Sequence, residues 1–406
     1  MKTAVVLGGT FPHRDLLAKL RDRGYHTVLV DYYENPIAKD FADSHYKVST
    51  LDKDMVLEVA REERADLVIS SCVDQANVTA CYVAEKLGLP HPYSYETAVA
   101  VTDKNLMKHI MFQNGIPTSS YYTIESVNEF VPDKLKYPII IKPSDSNSSK
   151  GVRRIDAFDN QSLSFVSQAL SISRNGCAIV EEFKVGKEIG VDCIIKDHHA
   201  TVVMTRERRK IHYNNSDAIQ QIYGSFWPAC ISQKQLLSLQ EIAEQIALAF
   251  DLNNTPLMMQ TIVCEDDISV IEFGARIGGG ENYRIIKELT GYDFIDQSID
   301  SFLNKSISSS FHAPKIKLAD NYIYMTPGLF GRIEIDERVR DELLYYNVYR
   351  KPGAEIGKDI SSNNRVGVFV VASEDEGSLL KKIYRVVDNM EVFDYFNHPV
   401  MRKDIY

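Results

Sequence analysis

The alternation of apolar and polar positions divides the chain into elements before any residue chemistry is considered. Thr3–Leu7 is a continuous apolar run, the pattern of a strand buried on both faces of a parallel sheet. Pro12 then opens a helical pattern through Leu16, Leu17 and Leu20, which Gly24 stops. Thr27–Val30 is a second strand ending in Asp31, and Met55, Val56 and Val59 mark one face of a helix. Leu67–Ile69 is a third strand, and Val78 to Leu87 is another helix, closed by Gly88 and Pro90. Strand and helix alternating in this way predict a parallel sheet with helices on both faces.

The middle of the chain is mixed. Thr102 is placed as the N-cap of a helix carrying Lys104, Met107 and Met111 and ending at Gly115. Tyr137 to Pro143 reads as a strand with Lys142 near its end, followed by a polar loop from Ser144 to Gly151. Asp159 to Leu170 is helical in pattern, and Ala178–Phe183 is a strand ending in Glu181-Glu182-Phe183. Ile189–Ile195 and Thr201–Thr205 are a further pair of strands, and Gln233–Phe250 is a well-patterned helix. The texture changes at the serine-rich stretch Ser306–Ser310. Short β-like runs, Tyr322–Met325 and Val366–Val371, with turns at Pro327-Gly328 and Pro352-Gly353, predict a small α+β tail.

A chain of 406 residues has room for two or three domains, at roughly 100–200 residues each. Its formal net charge of −10 argues against general nucleic-acid binding, whose footprint is basic. No run approaches the roughly 18 apolar residues of a membrane span, and the N-terminal apolar run is too short for a signal peptide, so a cytoplasmic location is the expectation. The six cysteines form no CxxC pair or zinc-like cluster and are expected to be buried single thiols.

The chemistry concentrates in one hairpin and the turn after it. Leu257–Cys264 and Ile268–Phe273 are strands separated by the turn formers Glu265-Asp266-Asp267. A three-residue loop pairs Cys264 with Ile268, and counting outward sets Gln260 opposite Glu272. Directly opposite residues share a face with Cβ atoms about 4.5–5.5 Å apart, so two oxygen-bearing side chains converge there. That suits a hard cation such as Mg²⁺, and an ordinary polar sheet face is the alternative. Beyond Glu272 come Gly274, Arg276 and the glycines Gly278, Gly279 and Gly280. Arginine offers bidentate donors to phosphate or carboxylate, and glycines let a chain approach a ligand; a strand end with a salt-bridged arginine explains the same residues. Upstream, Lys142 is delivered inward by an apolar strand, and Lys104 sits at the start of a helix. The basic run Arg206–Lys210 reads first as solvated charge, with phosphate or carboxylate recognition in a cleft as the alternative; His212 is either a surface histidine or a general base. Arg284, one turn past Gly280, is a candidate for the acceptor side of a site. Asp31 ends a strand where a ribose-binding acid would sit, but Gly8-Gly9-Thr10-Phe11-Pro12 lacks the dinucleotide glycine pattern.

Taken in order, these pieces resemble the ATP-grasp superfamily. The matching residues are Thr102-Asp103-Lys104, Ile139 to Pro143, Ser149-Lys150-Gly151-Val152, Glu181-Glu182-Phe183, Gly186-Lys187-Glu188 with Val191-Asp192, Gln260, and Glu272 through Arg276. The run ending Gly278-Gly279, and Asn364-Arg365-Val366-Gly367 in the tail, look most like the L-amino-acid ligase branch. The resemblance implies an α/β fold in three parts: a Rossmann-like lobe over residues 1–100, an ATP-grasp fold of two α+β subdomains clamping ATP over 101–305, and an α+β extension over 306–406. It implies that Lys104 and Lys142 bind ATP phosphates and that Ser149 and Glu182 belong to the nucleotide contacts. Glu181 and Phe183 would meet the adenine edge, Phe183 through its backbone, and Glu188 would hold the ribose. Gln260 and Glu272 would hold Mg²⁺, with Mn²⁺ as a substitute. Arg276 would steady the transferred phosphoryl group, with Arg284 beside the acceptor. Two departures thin the metal set: Gly274 stands where relatives often have asparagine, and Gln260 where many have glutamate.

The implied reaction is ATP-dependent joining of a small carboxylate to a small amine through an acyl phosphate, releasing ADP and phosphate. A phosphotransferase using the same nucleotide site, and a nucleotide-binding module without catalysis, remain as alternatives. Ser144–Gly151 and Arg206–Lys210 are the candidate lids. A homodimer fits the habit of the family.

Overall fold

The first apolar runs lie at the centre of a four-stranded parallel sheet, ordered Ser44–Tyr46, Tyr25–Val30, Lys2–Leu7, Leu67–Ile69. The structure, a computed structural model, describes residues 1–145, 151–211, 221–358 and 364–406. Ala4 to Leu7 have no solvent exposure, as the unbroken apolar pattern requires. Helices Phe11–Asp22, Lys53–Glu62 and Asp74–Leu87 flank the sheet. The first starts at Thr10 with Pro12 in its opening turn, where a missing N–H removes no helical bond. Two details differ from the pattern. Met55 is exposed, and the second helix buries Val56, Leu57, Val59 and Ala60 instead. Ser44–Tyr46 is too short and polar to show an apolar run, so it went unrecognised as a strand.

The next helix, Lys104–Gln113, is capped by Asp103 rather than Thr102. The Asp103 carboxylate accepts from the Asn105 and Leu106 amides, each at 2.9 Å. A small antiparallel sheet follows, ordered Tyr121–Ile124, Ala178–Glu182, Ile139–Pro143, Arg153–Ile155, with helix Ser162–Ile172 against it.

An eight-stranded antiparallel sheet forms the body of the molecule. Its order is Asp267–Gly274, Thr255–Cys264, Lys187–Lys196, His199–Lys210, Ile222–Trp227, Lys317–Tyr324, Arg365–Ser373, Leu343–Val348. The last three strands come from beyond the serine-rich stretch, so hydrogen bonding runs continuously across that change of texture. The tail adds helix Glu376–Asp388 and a three-stranded sheet, which gives it the expected α+β character. Among the described residues no helix is long and apolar enough to cross a membrane. All six cysteines are free; Cys81, Cys177 and Cys193 are buried, but Cys230 and Cys264 are exposed, contrary to the expectation of buried thiols.

Candidate active site

The hairpin brings Gln260 opposite Glu272, by a different route from the simple count. The turn is the two residues Glu265 and Asp266, so Cys264 pairs with Asp267, one position away from the expected register. That slip alone would have turned Glu272 to the other face of the strand. A bulge between Gln260 and Thr261 absorbs one residue: Thr261 pairs with Val270 and Gln260 with Glu272.

Glu272 is paired with Lys104, Nζ to Oε2 3.3 Å. Burial pushes its carboxyl up, but Lys104, Lys142 and Arg276 outweigh that and hold it below the usual range. Gln260 accepts from Arg208 Nη1 at 2.8 Å. The same guanidinium nitrogen donates to Glu188 at 2.6 Å, and Lys210 reaches the other Glu188 oxygen at 2.9 Å. Burial opposes ionisation of Glu188, yet these two cations lower its pKa to about 2. Gln260, Glu188, Arg208 and Lys210 therefore form one network on the face of the eight-stranded sheet.

This corrects the reading of Arg206–Lys210 as a solvated run or a lid. The run is the end of strand His199–Lys210, and alternation sends Arg206, Arg208 and Lys210 to one face. Arg206 is buried and ion-paired with buried Asp192, its guanidinium 5.2 Å from the Trp227 ring centre. A Cβ at Gly190, in register with Arg206, would sit 2.6 Å from that guanidinium, so glycine makes room for the pair. The run looked solvated because its neighbours, Lys187–Lys196 and Ile222–Trp227, enclose it only as part of a sheet completed by strands far along the chain, Thr255–Cys264 and Lys317–Tyr324.

A second cluster lies where the small sheet meets helix Lys104–Gln113. Lys142 Nζ is 2.6 Å from Glu181 Oε1, and Lys108 Nζ is 2.7 Å from Glu181 Oε2. All three side chains are buried. Burial would raise the Glu181 pKa, but Lys108 and Lys142 bring it down to about 2. Lys108 also donates to Thr118 Oγ1 at 2.9 Å, and that hydroxyl donates to the Val270 carbonyl, two residues before Glu272. Lys108 escaped the sequence reading. Its one signal is position: it lies one turn after Lys104, on the same face of an amphipathic helix. Glu182, on the opposite face of the strand, accepts from the Lys136 amide at 3.4 Å. The Phe183 amide donates to the Pro138 carbonyl at 2.8 Å, and Arg154 stacks 4.2 Å from its ring centre. Ser149 and His212 lie outside the described residues, as does most of the candidate lid Ser144–Gly151.

Arg276 is fixed by the first lobe. Its Nε and Nη2 donate to the two carboxylate oxygens of Asp74 at 2.8 and 2.7 Å, and Nη1 donates to the Ile277 carbonyl. Asp74 opens the helix that follows strand Leu67–Ile69, at the carboxyl edge of the parallel sheet. Gly274 has a structural reason here: a Cβ would lie 2.7 Å from Asp74 Oδ1. Arg284 stacks its guanidinium 4.0 Å from the Tyr345 ring centre. Its neighbour Glu281, fully buried, accepts from Tyr349 Oη at 2.8 Å and Asn347 Nδ2 at 3.1 Å, so the tail reaches the glycine turn. Asp31, the candidate ribose acid of the first lobe, is occupied otherwise: it accepts from the Gly9 amide at 2.7 Å and the Tyr33 amide at 2.9 Å and fixes the first turn.

Among the described residues no group of three His, Cys, Asp or Glu side chains is placed to hold a metal. Glu272 and Gln260 offer one carboxylate and one amide oxygen on the same face. That donor set fits Mg²⁺ brought in with phosphate oxygens and water, and does not fit a metal held by protein alone.

The phosphoribosylglycinamide synthetase ATP-grasp (A) domain family matches residues 102–282, the span that contains both clusters. Residues 102–282 are an ATP-grasp domain by that match. Formate-dependent phosphoribosylglycinamide formyltransferase of Haemophilus ducreyi is 25% identical over 284 residues, 67% of this chain and 68% of the relative. The enzyme of the same description from Mannheimia succiniciproducens is 21% identical over 96% of both chains. Among solved structures, L-amino acid ligase from Bacillus licheniformis superposes with a TM-score of 0.80 at 20% identity, covering 97% of this chain and 99% of that one. Phosphoribosylglycinamide synthetase from Anaerococcus prevotii superposes with a TM-score of 0.75 at 17% identity, over 97% and 99%. The matched span contains the small antiparallel sheet and five strands of the eight-stranded sheet, whose other three strands come from the tail.

Proposed function

We propose that this enzyme joins a small carboxylate to a small amine, activating the carboxylate as an acyl phosphate at the expense of ATP. The observation that carries the proposal is the meeting of Lys104, Glu272 and Gln260, with Lys142 near enough for its charge to act on the Glu272 carboxyl, although the four come from four separate elements. Phosphoryl transfer asks a protein mainly for positioning and charge neutralisation, and this set is suited to both. Lys104 and Lys142 would bind the phosphates, exchanging Glu272 and Glu181 for them. Glu188 would take the ribose hydroxyls, and Glu181, Glu182 and Phe183 would border the adenine. The Phe183 amide is already engaged by Pro138, which leaves its carbonyl for a base. Glu272 and Gln260 would hold Mg²⁺, or Mn²⁺ in its place; when bound, the ion neutralises charge on the phosphates. Arg276, locked in orientation by Asp74, would stabilise negative charge on the transferred group and then on the oxyanion of the tetrahedral intermediate formed by amine attack. Arg284 would border the acceptor.

The names of the similar proteins, one formate-dependent and one an L-amino acid ligase, favour a small carboxylate as the activated group. The test is an ADP-release screen over pairs of carboxylates and amines, with hydroxylamine as a general acceptor. A carboxylate-dependent hydroxamate together with ADP supports the proposal. ADP release with a stable phosphorylated product would instead make the enzyme a phosphotransferase.

A further inference from the structure

Glu181 has two lysine partners, and they are held very differently. Lys108 is anchored on three sides: the Glu181 carboxylate at 2.7 Å, Thr118 Oγ1 at 2.9 Å, and the Tyr121 ring with its centre 5.3 Å away. Its side chain is only 2% exposed. Lys142 sits near the end of its strand, and Glu181 is its one ion-pair partner among the described residues. The cluster holds two ammonium groups and one carboxylate, a net positive charge in a buried place. Such a charge is stable when an anion completes it.

We propose that Lys108 is a positioning residue for nucleotide binding: it is the permanent counter-ion of Glu181, and so frees Lys142 to move onto a phosphate of the nucleotide. Without Lys108, Lys142 would be the sole counter-ion of a buried carboxylate. Transferring Lys142 to a phosphate would then strand that carboxylate in a low-dielectric site. With Lys108 in place, the pair Lys108–Glu181 stays neutral and the nucleotide receives an unencumbered lysine. Thr118 links this arrangement to the Val270 carbonyl, so the same lysine also ties the helix to the strand that carries Glu272.

The inference rests on the reading of this cleft as the ATP site, and binding measurements separate the two. Titrations of the whole chain with ATP, ADP and adenosine, followed by calorimetry, give the affinities directly. Lys108→Met is expected to weaken ATP and ADP binding by about tenfold to a hundredfold, the scale of an unpaired buried charge, with adenosine shifted less than about threefold. Lys108→Arg should restore most of the loss. Glu181→Gln removes the need for a counter-ion, so adding Lys108→Met to it should change ADP affinity by less than about threefold. Equal losses for adenosine and ADP in Lys108→Met would overturn the inference, as would a further loss of about tenfold when Lys108→Met is added to Glu181→Gln. If Lys108→Met alone does not fold, the comparison in the Glu181→Gln background decides by itself. A wild-type chain that binds neither ATP nor ADP sinks the ATP reading, and this inference with it; a wild-type chain that binds both while Lys108→Met binds equally well sinks the inference alone.

Discussion

Glu181 and Glu188 are two buried carboxylates, each between two cations and each brought to a pKa of about 2, yet they sit in unlike surroundings. Glu181 is enclosed: its lysines are 2% and 6% exposed, and they come from a helix and a strand that meet only in the fold. Glu188 is open: Arg208 and Lys210 lie on one neighbouring strand at 22% and 20% exposure, and Arg208 is shared with Gln260. The difference teaches how one fold can hold two buried carboxylates in unlike ways. The enclosed cluster keeps its net positive charge away from water, whereas the open one shares its charge with solvent and with Gln260.

The comparison breaks most sharply at Glu181. Glu181→Leu leaves two buried ammonium groups without a counter-ion, and a loss of about 3–5 kcal/mol is expected in urea unfolding. Glu188→Leu should be milder, about 1–2 kcal/mol less damaging, because Arg208 and Lys210 can turn to water. Acid sharpens the same point. A carboxyl whose folded pKa lies below its unfolded value stabilises the fold above the unfolded value, near 4.5, and loses that contribution as the pH falls towards 2. Each of the two is worth roughly 3 kcal/mol by that shift. The wild type should therefore lose stability steeply between those pH values, and Glu181→Gln or Glu188→Gln should each flatten the profile of unfolding free energy against pH.

The Asp74–Arg276 pair comes next in size. Gly274→Ala places a methyl 2.7 Å from Asp74 Oδ1, so the pair must shift. A destabilisation of about 1–3 kcal/mol is expected, with a larger fall in kcat than in ATP affinity if Arg276 serves the transferred group. The smallest effect belongs to Lys234–Asp266 beside the hairpin turn, both 72% exposed. Lys234→Ala should change stability by less than about 0.5 kcal/mol and leave ADP release untouched.

What was legible in the sequence was whatever a short window contains. The apolar runs of the first lobe, the lysine at the end of strand Ile139–Pro143, and the partnership of Gln260 with Glu272 could all be counted out locally. Even there the turn was a residue shorter than counted, and a bulge restored the pairing; neither is visible in residue types. The Arg206–Lys210 run was misread because its burial depends on strands on both sides, one of them paired onward to a tail strand about a hundred residues away. Lys108 was missed because its partner Glu181 lies on a strand of another sheet, and helix periodicity says which face a lysine occupies but not what that face meets. Asp74 was missed for the same reason: a helix-opening acid in the first lobe gives no sign that it grips an arginine of the glycine turn.

The measurement that bears most directly on the account is ADP release by Glu272→Gln with the carboxylate and amine that serve the wild type. The substitution keeps the shape of the side chain and removes its charge from the cross-strand pair with Gln260. A fall of at least about a hundredfold, with an unchanged melting profile and Lys104 still in place, is the predicted result. Full activity in that variant would contradict the assignment of Glu272 and, with it, the placing of the nucleotide in this cleft.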